Sequence, residues 1–278
     1  MKVLYWDSLT AQQVDELLSD SNENGTALAI GGFDGPHRGH EALFSAVKTA
    51  ATSYNLASGL VTFVQSPAAL KKGHRYPGDV STLKLRLSYF TEYGFDFVLL
   101  IDFSSEFSKI RGGVFFDVLV KTVRMRYLAV GKDFRCGYRL DTGVKEISQL
   151  AVQNDFRFES ILPITFDGQR VSSSGVRSAI QSADFEYAEK LLGHPFLLDF
   201  NAPDWKRTSN VVDLESEVGS FTQLLPPAGN YSVVLNAASG KSVDAYMHIT
   251  DSKVFLCSSN GRKSPLPSDL VTVQFRLS

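Results

Sequence analysis

The apolar positions of this chain keep two different rhythms, and the change between them divides it near residue 198. In the first part, short apolar runs bounded by turn residues alternate with stretches in which apolar residues recur at helical spacing. The first pattern reads as buried strands and the second as amphipathic helices. Val3 to Tyr5 predicts a strand, followed by a helix over TAQQVDELLSD with Ser8 as its cap and Val14, Leu17 and Leu18 facing inward. Thr26 to Ile30 predicts the next strand, EALFSAVKTAA a helix, and Leu56 to Phe63 another strand. A helix over Thr82 to Tyr93, a near-continuous apolar strand over Asp96 to Phe103, a helix over Gly113 to Val123 and a strand over Tyr127 to Val130 follow. Phe156 to Ile164 and Val171 complete the sheet or its rim, before a helical pattern through Val176, Ile180, Ala188, Leu191 and Leu192. Apolar strands alternating with helices predict an α/β fold with a Rossmann-like, doubly wound parallel sheet.

After Gly193 the rhythm changes. LLPPAGNYSVVLNAASGKSVDAYMHITDSKVFLCSS and the final VTVQFRL alternate β-rich runs with turns, which predicts a small all-β domain. The expected division is residues 1–198 and 199–278, with the polar, proline-containing segment Asn201 to Asn210 as linker.

Composition adds limits. With 278 residues, 44% hydrophobic and 21% charged, the chain holds ample material for a core. Its net charge of −2 lacks the basic footprint of a nucleic-acid binder, so small molecules are the expected partners. MKVLYWDSLTAQQVDELLSD has no signal-peptide core, and no apolar run reaches membrane-spanning length. We expect a soluble, cytoplasmic protein without a membrane partner. Oligomeric state is not legible, and a monomer is compatible with the sequence. Cys136 and Cys257 lie far apart and read as free thiols. His74, beside Lys71, Lys72 and Arg75, reads as solvated basic surface, and His194 and His248 receive no chemical role.

The densest chemistry lies in TALAIGGFDGPHRGH, residues 26–40. A strand runs into a turn with Gly31, Gly32, Gly35 and Gly39 and then into a helix start. First-turn amides lack intrahelical partners and, with the macrodipole, favour an anion. His37 and His40 flank the turn, and an imidazole there can donate to a phosphate oxygen. The string is neither a P-loop nor a dinucleotide fingerprint. Ser172, Ser173 and Ser174 open a later helix and could simply cap it, but Arg177 supplies what a cap does not need: a second polyphosphate clamp.

GGFDGPHRGH resembles the G-x-F-D-G-x-H-x-G-H signature of the bacterial FAD synthetases, a branch of the HxGH nucleotidyltransferases, at Gly31, Phe33, Asp34, Gly35, His37, Gly39 and His40. VTFVQSPAAL resembles the family's T-F-x-P-H-P, with Ser66 in place of histidine beside Phe63 and Pro67. VGKDFRCGYR resembles V-G-x-D-F-x-F-G-x-x-R, VSSSGVR resembles I-S-S-T-x-I-R, and AEKLLGHPF resembles A-x-x-L-L-G-R-P-[FY]. The resemblance implies transfer of AMP from ATP to FMN, giving FAD and pyrophosphate, with Mg²⁺ accompanying ATP. It implies His37 and His40 on the transferring phosphate, and Gly31, Gly32, Phe33, Gly39, Gly131, Ser172, Ser173, Ser174 and Arg177 around ATP. Asp34 serves the turn backbone or the nucleotide, with the backbone ranked first. Asp133 orients substrate, holds Mg²⁺ through water, or caps its loop. Phe63, Ser66, Pro67, Asp133, Phe134, Cys136 and Arg139 would face FMN, although Cys136 replaces a phenylalanine that the family stacks on the flavin ring. Acceptors other than FMN, and a non-catalytic flavin or nucleotide binder, are the alternatives. The tail resembles a barrel-like riboflavin kinase domain in L-P-x-x-G-x-Y but lacks P-T-x-N, so no kinase activity is expected.

Overall fold

The computed structural model describes residues 1–21, 24–70, 76–208, 214–258 and 266–277. The basic stretch around Lys71, Lys72, His74 and Arg75 lies outside them. A strand covered on both faces needs apolar residues in unbroken succession. Among the strands β1 (Lys2–Tyr5), β2 (Thr26–Ile30), β3 (Ala57–Phe63), β4 (Phe97–Ile101) and β5 (Met125–Gly131), β2 and β4 are buried at every residue, β4 apolar throughout and β2 apolar after Thr26. With β8 (Arg157–Ile161) they form a six-stranded sheet in the order β1-β4-β3-β2-β5-β8, parallel throughout. β6 (Arg135–Cys136) and β7 (Thr142–Gly143) make a separate two-stranded ladder in the loop after β5.

Helices α1 (Ala11–Ser21), α2 (Arg38–Tyr54), α3 (Leu83–Glu92), α4 (Gly112–Lys121) and α5 (Val144–Gln153) alternate with these strands. Side chains alternate across a sheet, so Leu28 and Ile30 of β2 share one face. They join Val61, Leu99, Ile101, Leu128 and Val130 in a core with Val14, Phe115, Phe116, Leu119 and Ile147. From β2 the chain proceeds through β3 and β4 on one side, then returns to β5 and β8 on the other. That reversal makes the crevice at the carboxyl ends of β2 and β5 the place where open sheets of this kind bind ligands. Apart from Arg38 of α2 and Leu83 to Arg86 of α3, these elements fall in a compact unit drawn from Met1–Phe33, Gly39–Gly73 and Leu87–Thr165.

The cap of α1 differs from expectation. Ser8 sits in a short 3₁₀ turn, Trp6–Ser8, and Thr10 does the capping: its Oγ1 accepts from the Gln13 amide at 3.3 Å while Gln13 Oε1 accepts from the Thr10 amide at 2.9 Å. Thr10 followed three residues later by Gln13 is a capping box, a stronger signal than a serine before a leucine.

The second compact unit comprises Asp34–Arg38, His74–Arg86 and Phe166–Ser278. The chain enters it through the hairpin of β9 (Thr165–Phe166) and β10 (Gln169–Arg170), followed by α6 (Ser173–Gln181) and α7 (Phe185–Leu192). Seven strands then build an antiparallel sheet: β11 (Leu197–Asp199), β12 (Lys206–Arg207), β13 (Leu214–Glu217), β14 (Gly229–Ala237), β15 (Ser242–Ile249), β16 (Lys253–Ser258) and β17 (Leu270–Phe275). Their order is β11-β17-β14-β15-β16-β13-β12. α6 and α7 bury Val176, Ile180, Ala188, Leu191 and Leu192 in one core with Val233, Leu235, Met247, Leu256 and Val273 of this sheet. Each of these Val, Ile, Leu and Met side chains contributes roughly 1.5–3 kcal/mol on burial. The compact units therefore do not follow the expected division at 198/199, because both helices find their apolar partner in the antiparallel sheet.

Nor is the segment expected as a linker bare. Trp205 stacks on Phe200 at 5.5 Å and donates its indole N–H to the Phe200 carbonyl at 2.8 Å, and β12 pairs with β13. Among the described residues neither Cys136 nor Cys257 forms a disulfide, and no helix is long and apolar enough to cross a membrane.

Candidate active site

At the carboxyl end of β2 the chain turns sharply. The Gly31 amide donates to the Val61 carbonyl at 3.1 Å, and Thr62 Oγ1 donates to the Gly32 carbonyl at 3.0 Å, which moors the turn to β3. Phe33 takes a left-handed φ of 44°, and its ring folds back so closely that a Cβ on Gly31 would lie 2.7 Å from it. The close approach of the ring favours glycine there. The Phe33 ring, 1% exposed, meets His40 edge-on at 5.1 Å, and His40 lies nearly parallel to Phe44 at 6.2 Å. Expected as a nucleotide contact, Phe33 lies with its ring against the His40 imidazole and is buried as a whole residue. A Cβ at Gly32 or Gly131 would meet no heavy atom within 4 Å among the described residues, so space stands open beside both.

β5 ends beside β2, and its turn closes through the Phe134 amide on the Gly131 carbonyl at 2.9 Å. Asp133 is exposed in that turn, while Phe63, Phe134 and Cys136 pack half-buried against the core of the first unit. Burial, and then the charge of Asp141, push the Cys136 thiol up to about 12. At neutral pH it is a protonated, half-buried thiol. Gly137 takes a φ of 80°, and a Cβ there would come within 2.4 Å of the Gly112 nitrogen. Arg139 is left-handed at 57°, with its guanidinium 5.1 Å from the Tyr138 ring centre. Ser66 and Pro67 follow β3 in a local turn in which Ser66 Oγ accepts from the Ala68 amide at 3.3 Å. The structure thus gathers Gly31–Phe33, Phe63 and Gly131–Phe134 at the ends of three neighbouring parallel strands, with Ser66, Cys136 and Arg139 in the loops leaving them.

In the second unit, Asp34 is buried and heavily engaged. Its carboxylate accepts from the Val80 amide at 2.9 Å and the Ser81 amide at 3.1 Å, and pairs with Arg177. Burial raises its carboxyl above the ordinary value, against the lowering effects of Arg177 and the two amides. Gly35 next to it has a φ of 59°, and a Cβ would fall 2.3 Å from a Val80 methyl. Ser172 caps α6 by accepting from the Gly175 amide at 3.2 Å, Ser173 Oγ donates to the Asp34 carbonyl at 2.9 Å, and Ser174 is exposed on the first turn. Arg177 Nε donates to the Gly78 carbonyl at 3.1 Å and Nη2 to the Tyr76 hydroxyl at 3.2 Å. The Asp34 turn and the serine-capped helix start are therefore joined twice, through Ser173 and through Arg177.

His37 is buried, and burial, with a smaller contribution from the charge of Arg170, lowers its pKa to about 4. At neutral pH it is an uncharged imidazole, able to donate one N–H. His194 is the residue that sequence reasoning missed. Its Nε2 lies 2.9 Å from the Pro36 carbonyl and its Nδ1 2.9 Å from the Pro195 carbonyl. A neutral ring donates to one of the two carbonyls and a protonated ring to both. Its place in LLGHPF, where the resembling family carries arginine, was the available signal. Among the described residues no cluster of three His, Cys, Asp or Glu side chains is placed to hold a metal.

The doubly wound sheet with a glycine turn at its switch point defines an α/β protein with a ligand crevice at its strand ends. The FAD synthetase family model matches residues 19–175, and the chain belongs to that family. It is 34% identical over 182 residues to the bifunctional riboflavin kinase/FMN adenylyltransferase of Escherichia coli K12, an alignment covering 65% of this chain and 58% of that protein. It is 26% identical over 219 residues to the Haemophilus influenzae protein of the same name, covering 78% of this chain and 71% of that one. In fold it resembles the crystal structure of a macrolide-efflux protein from Streptococcus pneumoniae, with a TM-score of 0.78 at 18% identity over 99% of this chain and 90% of that one.

Proposed function

We propose that this protein transfers AMP from ATP to FMN, forming FAD and pyrophosphate, and that it does not phosphorylate riboflavin. The observation that carries the reading is the coincidence of the glycine turn with the Gly131–Phe134 turn at the ends of adjacent parallel strands, in a chain of the FAD synthetase family. An oxygen of the FMN phosphate would attack the α-phosphorus of ATP, and the bond to the bridging oxygen of pyrophosphate would break. Such a transfer needs alignment and charge stabilisation and no protein nucleophile. The uncharged His37 would donate a hydrogen bond without adding a charge, and His40, braced by Phe33 and Phe44, would donate from a set direction. Ser173, Ser174 and Arg177 would hold the β- and γ-phosphates, each such preorganised donor contributing about 10²-fold in turnover.

Mg²⁺ enters as the companion of ATP. It usually keeps several waters and binds through phosphates and one or two carboxylates, and the exposed Asp133 beside the open Gly131 fits that demand. Phe63, Phe134 and the protonated Cys136 form an apolar surface for the flavin ring that lacks the stacking aromatic of the family. Losing one ring contact costs roughly 0.5–1.5 kcal/mol, about tenfold in affinity, which leaves FMN the acceptor.

Incubation with ATP, Mg²⁺ and FMN should yield FAD and pyrophosphate in equal amounts. Pyrophosphate without FAD would move the reading to another phosphate-ester acceptor, and neither product would remove catalysis. With riboflavin in place of FMN no flavin phosphate should form, and FMN appearing would overturn the second half of the proposal.

A further inference from the structure

Asp34 belongs to the glycine turn, yet its chemistry does not suit a nucleotide contact. A carboxylate accepts hydrogen bonds and repels phosphate. Its oxygens already take the Val80 and Ser81 amides and the Arg177 guanidinium, all from the second unit. Arg177, by contrast, is a long side chain with considerable rotamer entropy to lose before it can hold an anion in one orientation. Three bonds remove that freedom in advance: Nη2 on Asp34, Nη2 on the Tyr76 hydroxyl and Nε on the Gly78 carbonyl. Nη1 has no partner among the described residues.

We propose that Asp34 is a positioning residue for Arg177, holding the guanidinium by its Nη2 edge so that Nη1 is presented to the pyrophosphate half of the nucleotide. This rests on the proposed function of the site. It gives the aspartate of the FDG turn a role in alignment beyond its service to the turn backbone. The Ser173 bond to the Asp34 carbonyl serves the same end, because it ties the first turn of α6 to the residue that orients Arg177. Tyr76 completes the brace, its ring 5.5 Å beneath the guanidinium and its hydroxyl donating to Asp79 at 2.5 Å.

The test is a double-mutant cycle read by direct binding of pyrophosphate, without catalysis. Asp34→Asn keeps an oxygen for the Val80 and Ser81 amides but loses the ion pair. Pyrophosphate affinity should fall about tenfold in Asp34→Asn, at least as far in Arg177→Ala, and no further in the double variant, since coupled residues are non-additive. Unchanged affinity in Asp34→Asn, or losses that simply add, would overturn the proposal. Were Asp34→Asn not to fold, Arg177→Lys answers the same question, because lysine keeps the charge and loses the fork. Parental affinity in that variant would equally overturn it. A parent protein that binds no pyrophosphate would defeat the underlying clamp, a failure visible before any substitution is made.

Discussion

The two halves of the glycine turn are held by opposite kinds of force. Gly31–Phe33 and His40 are set by apolar packing, with the Phe33 ring wedged between His40, Phe44 and Phe90 at 5.1, 5.1 and 6.2 Å. Asp34–His37 are set by buried polar groups: two amides and a guanidinium on Asp34, and the His194 imidazole on the Pro36 carbonyl. Apolar packing tolerates a ring of similar volume and ignores pH. A buried polar set loses the full desolvation cost of whatever group is left unpaired. One histidine of the pair is thus mechanically braced, and the other is held in a net that pH can disturb.

The apolar half should show the largest single effect. Phe33→Ala empties a site that is 1% exposed and should cost about 3–5 kcal/mol in unfolding free energy, as buried phenylalanines do. Phe33→Leu should recover most of it, with little dependence on pH. Urea unfolding of the three proteins at several pH values measures both points. A cost below about 1 kcal/mol for Phe33→Ala would mean that the ring does not bear on the turn, and the contrast between the halves would collapse.

The apolar half is also what the sequence made legible. Strand β3, expected over Leu56 to Phe63, runs Ala57–Phe63, and β4, expected over Asp96 to Phe103, runs Phe97–Ile101, because continuous apolar runs have few other solutions. The parallel sheet and the turn at its switch point followed from these runs. What stayed hidden depends on partners distant in sequence. Asp34 finds Val80 and Arg177, 46 and 143 residues away, and no local pattern encodes that. α6 and α7 have apolar faces that announce burial but not the sheet they pack on, so the compact units part elsewhere than at 198/199. Trp205 on Phe200 shows the same limit, a polar, proline-containing stretch being held by two aromatic rings. His194 stands out in the sequence only by occupying a place where the resembling family carries arginine, and its partner, the Pro36 carbonyl, is 158 residues away.

The polar half should respond to acid. His37 titrates near 6.5 when unfolded and at about 4 in the fold, so protons bind the unfolded chain more readily between those values. Stability should therefore be flat above pH 6.5 and fall as pH drops toward 4, by up to roughly 3 kcal/mol if the whole shift is expressed. Asp34 acts in the opposite sense, since its raised carboxyl pKa lends stability at low pH that is lost as pH rises above 3.8. The difference between the parent and His37→Gln isolates the histidine. Parallel pH profiles for the two proteins would show that His37 is not the titrating group, and would remove the contrast with Phe33.

The smallest effect tests whether the polar half extends to His194. Its Nε2 lies against the Pro36 carbonyl, on the peptide that leads into His37, and its Nδ1 against the Pro195 carbonyl of its own turn, and a neutral ring donates to one of the two. Removing the ring in His194→Ala should cost about 1–2 kcal/mol, the usual scale for a hydrogen bond whose buried partner is left unmet. His194→Gln keeps one amide donor for Pro36 and should regain about half of that. The two variants separate a tether from a space filler, because glutamine restores the donor while matching the ring poorly in shape. Equal losses in both would make His194 a packing residue, and the polar half would then end at Asp34 and Arg177. A full return with glutamine would make the Pro36 carbonyl the contact that matters, which places the second anchor of the His37 turn on the loop that follows α7.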